Sequence, residues 1–307
     1  HPLKFAAYER PGELSGSSLL THPAAIEPYA EQIVRQAAAE GLAYVELRGS
    51  PQKYGDGMAF LRSFHKSLAR AIARLPDVSR PMIRFIIIGD RRDRDTLPQV
   101  IDLAVRAKCE LSNFIVGLDL AGDEAGSRPE EIAHWFLPAF EICLPLTIHA
   151  GEGEEADSIW QAAYHLHADR IGHGLTVGGH GQLAGRFRDR GICLELCPTS
   201  NREVVGYRDP AVPESAECPP YPLLELWRSG LPLTLCTDNP GISRTTLSNE
   251  YLVASRMTDG RLSCWDALAM LRQAFVHAFL PSGEKETLLK RVDALIFHSV
   301  HARFPLA

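Results

Sequence analysis

Short apolar runs and longer amphipathic segments follow one another in regular order along this chain. The short runs are branched and apolar on both faces, which is typical of strands in a parallel sheet that is buried on both sides. The longer segments carry apolar residues at helical spacing. Seven runs are predicted as strands: Tyr44–Arg48, Ile83–Ile88, Phe114–Leu120, Leu144–His149, Arg170–Gly174, Ile192–Leu196 and Leu231–Cys236.

The alternation of strand and helix predicts an α/β fold, either a barrel or a doubly wound sheet. Helices are predicted between the strands and before the first of them, where apolar residues recur at helical spacing over Ala24–Glu40. Residues 1–23 contain several prolines and glycines and are predicted to be irregular. We expect residues 1–307 to form a single domain, because α/β barrels of this size fold as one unit.

Composition and charge narrow the class of protein. The chain has 307 residues, of which 45% are hydrophobic and 23% are charged, as in ordinary globular proteins. The net charge of −6 and the lack of a basic block argue against a nucleic-acid surface. No apolar run has the length of a membrane span, and no signal peptide is recognised. Seven scattered cysteines favour reduced thiols and a cytoplasmic location.

Polar side chains stand where three predicted strands end: His149 with Glu152, His173, and Asp238. Taken singly, a buried histidine is usually a hydrogen-bonded core group, and an aspartate before Asn-Pro is usually a turn former. Together they favour a functional site, because the carboxyl ends of parallel strands meet at the face where α/β barrels carry their chemistry. Imidazole and carboxylate groups are ligands that suit zinc.

The chain resembles the adenosine deaminase family from about residue 24 to the C-terminus. The resemblance rests on ordered motifs at Tyr44–Arg48, Asp119–Glu124, His149–Glu152, Arg170–Gly174, Cys197–Asn201 and Thr237–Pro240. It implies a zinc-dependent (β/α)8 TIM barrel of the amidohydrolase superfamily. Members of this family hydrolyse the 6-amino group of a purine to give the 6-oxo product and ammonia.

The resemblance also implies residue roles. His149 and Asp238 would bind one Zn²⁺ ion. Glu152 and His173 would act in catalysis. Gly122 and Asn239 would bind the purine. Glu152 would protonate N1 of the purine. His173 would orient the attacking water and is a candidate to deprotonate it. Gly122 would present its backbone to N3, and residue 239 would meet N7.

Two features depart from the family pattern. The family has a His-x-His pair at the end of a first barrel strand, and no such strand precedes residue 24. The pair at His165–His167 lies on a predicted helix, where side chains two residues apart point to different sides. We therefore expect a barrel whose first strand, with two metal ligands, is missing from this chain. Asn239 stands where the family usually has aspartate, and its amide can still donate to N7.

Three functions stay open on the sequence. The first is hydrolytic deamination of a 6-aminopurine, most directly adenosine. The second is deamination of adenine or an adenine nucleotide, which includes a role in a larger bacterial anti-phage assembly. The third is a catalytically inactive binding or assembly protein on the same fold, which the missing metal ligands favour. The expected partner is a small-molecule purine nucleoside or nucleotide, and the chain is compatible with a homo-oligomer.

Overall fold

Seven parallel strands form one sheet in which each strand pairs with the next along the chain. The structure is a computed structural model that describes residues 4–303. The strands are β1 (Tyr44–Gly49), β2 (Met82–Asp90), β3 (Ile115–Ala121), β4 (Leu146–Ala150), β5 (Arg170–His173), β6 (Cys193–Leu196) and β7 (Leu233–Leu235). Each predicted strand is confirmed, and its ends agree with the prediction to within two residues.

Helices connect successive strands and cover the outside of the sheet. Within residues 4–303 the α-helices are α1 (Lys4–Leu20), α2 (Pro23–Ala39), α3 (Gly57–Ala73), α4 (Leu97–Glu110), α5 (Pro129–Ile132), α6 (Leu137–Glu141), α7 (Ala156–Tyr164), α8 (Gly181–Arg190), α9 (Pro198–Val204), α10 (Leu223–Arg228), α11 (Pro240–Ser243), α12 (Leu247–Met257), α13 (Cys264–Val276) and α14 (Ser282–Arg303). None of them is both long enough and apolar enough to cross a membrane.

The sheet curls into an incomplete barrel. Glu46 on β1 pairs with Arg170 on β5 at 2.6 Å, although three strands separate them in the sheet. Arg48, also on β1, pairs with Glu195 on β6 at 2.5 Å. Side chains on strands so far apart in the sheet can meet only if the sheet curves and brings β1 towards β5 and β6. The predicted α/β barrel architecture is therefore confirmed, with seven strands in the part of the chain that the structure describes.

The structure of the N-terminal segment differs from the sequence prediction. The prediction that residues 1–23 are irregular is wrong over Lys4–Leu20, which form α1 with Pro11 inside the helix. Helix propensity is a weak prior that tertiary contacts override. Tyr8 is buried and its hydroxyl lies 2.8 Å from Oγ of Ser243, and Leu20 joins the hydrophobic core. Residues 1–3 lie outside the described part of the chain.

Candidate active site

The predicted site residues come together at the carboxyl ends of the strands. His149 lies on β4 and His173 on β5, and their ring centroids are 5.1 Å apart. Nε2 of His173 lies 3.6 Å from Oε2 of Glu152, in the turn after β4. Asp238 follows β7, and its carboxylate influences the pKa values of both His149 and Glu152. Sequence reasoning therefore grouped these four residues correctly in space.

The backbone is unusual at two of these residues. His173 has a φ of 64° and Asp238 a φ of 52°, in the left-handed region that residues other than glycine seldom adopt. Such conformations each cost of order 1–3 kcal/mol and cluster at functional sites. His173 is the last residue of β5, and Asp238 follows the end of β7 in the loop before α11, so both stand where regular strand geometry ends.

His149 is held by a buried carboxylate. Its Nδ1 atom lies 2.9 Å from Oδ1 of Asp119, and Oδ2 of Asp119 accepts from Nη1 of Arg48 at 3.1 Å. Burial lowers the pKa of His149, but the charge of Asp119 outweighs burial and raises the pKa to about 9. A carboxylate behind Nδ1 is the arrangement that orients metal-binding histidines and leaves Nε2 for the metal.

Glu152 sits in a nearly closed environment. Only 11% of its side chain is exposed. Burial raises the pKa of Glu152, His173 lowers it, and the nearby charge of Asp238 raises it again, with a net upward shift. An upward shift of the pKa favours the protonated form of the carboxyl group, which is the form that a general acid requires.

The turn that carries Glu152 is shaped by Glu124, a residue whose role the sequence did not predict. Its carboxylate accepts the backbone N–H groups of Gly151 and Glu152, both at 2.7 Å, and of Gly153 at 3.1 Å. It also accepts the hydroxyl of Ser158 at 2.8 Å. Glu124 belongs to one of the recognised motifs, but nothing in the motif indicated that it binds a turn 27 residues away.

Gly122 lies beside the end of β2. Its φ is 90°, and a Cβ atom at this position would lie 2.4 Å from Oδ1 of Asp90. Asp90 cannot easily move away, because Nζ of Lys53 donates to it at 3.0 Å and the Arg92 side chain donates to it at 2.6 Å. The chain therefore needs a glycine at position 122.

Asn239 is exposed next to Asp238. Its backbone carbonyl accepts from the N–H groups of Ile242 and Ser243 in the short helix α11, while its side chain makes no capping hydrogen bond to the helix. Oδ2 of Asp238 accepts the hydroxyl of Ser200 at 2.7 Å. The Asn239 amide is thus available at the open side of the site.

Asn201 links the two predicted catalytic residues, and sequence reasoning assigned it no role. Its Nδ2 atom lies 2.8 Å from Nδ1 of His173 and donates to Oε1 of Glu152 at 3.2 Å. Its Oδ1 atom accepts from the backbone N–H of Cys197 and from the hydroxyl of Tyr221. The motif Cys197–Asn201 was recognised, but Tyr221 stands in a proline-rich loop with no local signal.

The donor atoms suit a divalent metal in kind but are incomplete in number. His149 and Asp238 offer one imidazole and one carboxylate, whereas zinc sites usually take three or more protein ligands. Across residues 4–303, no group of three or more His, Cys, Asp or Glu side chains is arranged to hold a metal ion. His165 and His167 lie between α7 and β5, at the amino ends of the strands and so opposite the site.

Comparison with known proteins identifies the family. The profile of the family described as adenosine deaminase matches residues 4–295. An adenosine deaminase of Pectobacterium atrosepticum is 31% identical over 271 residues, which cover 84% of this chain and 73% of the relative. An adenine deaminase of Rhizobium rhizogenes is 31% identical over 263 residues, or 85% of this chain and 78% of the relative.

Solved structures share the fold. A zinc-bound amidohydrolase from Burkholderia ambifaria superposes with a TM-score of 0.77 at 21% identity, covering 91% of this chain and 76% of the neighbour. The chain belongs to the adenosine deaminase family. It is accordingly an aminohydrolase with the α/β barrel of that family, which is generally metal-dependent.

Proposed function

We propose that this protein hydrolyses the 6-amino group of a purine, with adenosine as the leading substrate and adenine as the alternative. One observation carries the proposal: Glu152, His173, His149 and Asp238 converge at the carboxyl ends of the strands. Family membership supports the reaction class. The relatives named above are adenosine and adenine deaminases, so both substrates have a counterpart among similar proteins.

Glu152 is proposed to protonate N1 of the purine. Attack at C6 places negative charge on the ring, and a proton at N1 stabilises that charge. Burial raises the pKa of Glu152, so the group can enter the reaction as a neutral acid. The contacts of Glu124 with the backbone of residues 151–153 hold the turn that aims the Glu152 side chain.

His149 and Asp238 are proposed to bind a Zn²⁺ ion. When bound, the metal makes water nucleophilic at neutral pH by lowering its pKa to about 7. Asp119 fixes the ring of His149 through Nδ1. Ser200 fixes the carboxylate of Asp238 through a hydrogen bond to Oδ2. These two residues are proposed as part of a larger ligand set, since the described residues hold no group of three or more His, Cys, Asp or Glu side chains arranged for a metal.

Gly122 and Asn239 are proposed to bind the purine. Gly122 would present its backbone to N3, and its partial exposure just after β3 supports this. The exposed Asn239 amide can donate to N7. His173 is proposed to orient the attacking water, because its ring lies between Glu152 and His149.

The test is a comparison of substrates. The full chain, supplied with Zn²⁺, is incubated separately with adenosine, adenine and AMP, and ammonia and the 6-oxopurine are quantified. We expect equal amounts of ammonia and 6-oxopurine from one of the three, and adenosine is the expected choice. If adenine or AMP is turned over instead, the substrate assignment is wrong while the reaction class stands. No ammonia from any of them would contradict the proposal.

The incomplete set of metal ligands favours a second candidate, a purine-binding protein without turnover. The same assay separates the two. If the protein binds purines without turnover, calorimetry should detect binding of adenosine or adenine, and no ammonia should be released even with Zn²⁺ in excess.

A further inference from the structure

The carboxamide of Asn201 is completely buried between two predicted catalytic side chains. All of its hydrogen-bonding positions face a partner at 2.8 to 3.2 Å: His173 and Glu152 on one side, and Cys197 and Tyr221 on the other. A fully satisfied buried amide has one orientation and holds its neighbours in one arrangement.

The orientation of this amide follows from a donor that cannot change its role. The backbone N–H of Cys197 points at the Asn201 side chain at 3.1 Å, and a backbone N–H only donates. The atom that faces it must therefore be the carbonyl oxygen Oδ1. Tyr221 donates its hydroxyl to the same oxygen at 2.9 Å. The amino group of Asn201 consequently points towards His173 and Glu152.

This orientation determines the protonation pattern of the imidazole. Nδ2 of Asn201 carries only hydrogen-bond donors and lies 2.8 Å from Nδ1 of His173, so Nδ1 must accept. In a neutral imidazole, one nitrogen accepts and the other carries the proton. The proton of His173 therefore lies on Nε2. The surroundings of Nε2 agree, because a carboxylate oxygen of Glu152 faces it at 3.6 Å.

We infer that Asn201 is a positioning residue that fixes neutral His173 as the Nε2–H tautomer. This rests on the proposed function, in which His173 faces the attacking water. A ring nitrogen that already carries a proton cannot take another while the ring stays neutral. His173 therefore acts as a hydrogen-bond donor that orients the attacking oxygen. The family resemblance made His173 a candidate base, and the hydrogen bonds of Asn201 argue against that role.

The test reads the tautomer directly. The full chain is prepared with ¹⁵N-labelled histidine, and ring nitrogen spectra are recorded at about pH 8, above the ordinary histidine pKa of about 6.5. The His173 signals are identified by their loss in His173→Gln. We expect a protonated Nε2 and an unprotonated Nδ1 in the unsubstituted protein. A proton on Nδ1 of His173 would overturn the inference.

Asn201→Asp provides the matched variant. A carboxylate of the same shape accepts where the amide donates, so the proton of His173 is expected to move to Nδ1. Tyr221→Phe is the control, because it removes one donor to Oδ1 and leaves the Cys197 N–H in place. The Tyr221→Phe spectrum should keep the Nε2–H pattern. Unchanged His173 signals in a folded Asn201→Asp protein would contradict the role of Asn201.

The readout does not depend on turnover. A protein with the expected tautomer but without ammonia release would contradict the proposed function and leave this inference standing. A protein that deaminates a purine but carries the proton on Nδ1 would contradict this inference and leave the proposed function standing.

Discussion

Oδ1 of Asp119 lies 2.9 Å from Nδ1 of His149, at the centre of a buried chain of charges. Asp119 pairs with Arg48, and Arg48 pairs in turn with Glu195. Both carboxylates are almost completely buried. The proposed metal ligand is thus connected through the barrel interior to residues on β1 and β6, so its position depends on distant parts of the sheet.

Removal of Arg48 tests how much this buried chain of charges contributes to stability. Arg48→Met leaves two buried carboxylates with one partner fewer, and breaking a buried pair in this way costs about 3–5 kcal/mol. Urea unfolding measures the loss. The control is Arg106→Met, because Arg106 pairs with Asp102 on the exposed face of α4, where an ion pair contributes less than about 1 kcal/mol. Similar losses in both variants would show that the buried pairs add no special stability.

Gly122→Ala tests the close approach at the purine site. An added Cβ would lie 2.4 Å from the anchored carboxylate of Asp90, and the φ of 90° is itself unfavourable for alanine. We expect a higher KM for the purine and a lower melting temperature. Gly153→Ala is the matched control, since nothing lies within 4 Å of a Cβ there. An unchanged KM in Gly122→Ala would remove Gly122 from the purine site.

Asn239→Ser tests whether the exposed amide reads N7. Wild type should bind adenosine more tightly than 7-deazaadenosine, which has no N7 acceptor. The variant should lose most of that preference, because an unpaired polar group costs about 1–3 kcal/mol. Binding of both ligands to both proteins gives the answer. If the two proteins discriminate equally, Asn239 is only a turn residue before α11.

The low pKa of Asp209, which lies away from the candidate site, predicts that the fold loses stability in acid. Burial raises the pKa of its carboxyl, but hydrogen bonds from Arg256, Ala211 and Arg202 outweigh burial and lower the pKa to about 2. A depressed pKa stabilises the fold above the unfolded value of about 3.9, and this stability is lost as pH falls towards 2.

The variant Asp209→Asn should therefore be less stable than wild type at pH 7, and the gap should close between about pH 4 and pH 2. Denaturant unfolding at several pH values measures it. A gap that stays constant with pH would show that the charge of Asp209 does not contribute.

The strands and the meeting of polar residues at their carboxyl ends could be predicted from the sequence because both signals are local. A continuous apolar run marks a strand buried on two faces, and polar groups at its end mark the candidate active face, as at His149 and His173. Helix α1 was missed because Pro11 and two glycines oppose a helix locally, whereas the packing of Tyr8 and Leu20 that stabilises it is tertiary. Asn201 was missed because its partners become neighbours only when the barrel forms.

The most direct test of the account compares Glu152→Gln with Glu154→Gln. Glu152 is mostly buried beside His173, whereas Glu154 is an exposed carboxylate two residues further along the same turn. Ammonia release from adenosine is measured for both variants and wild type under identical conditions with Zn²⁺. A general acid contributes about 10²–10⁴-fold to the rate, so Glu152→Gln should lose that factor in kcat. Glu154→Gln should match wild type. Equal rates for all three proteins would contradict the claim that this site deaminates purines through Glu152.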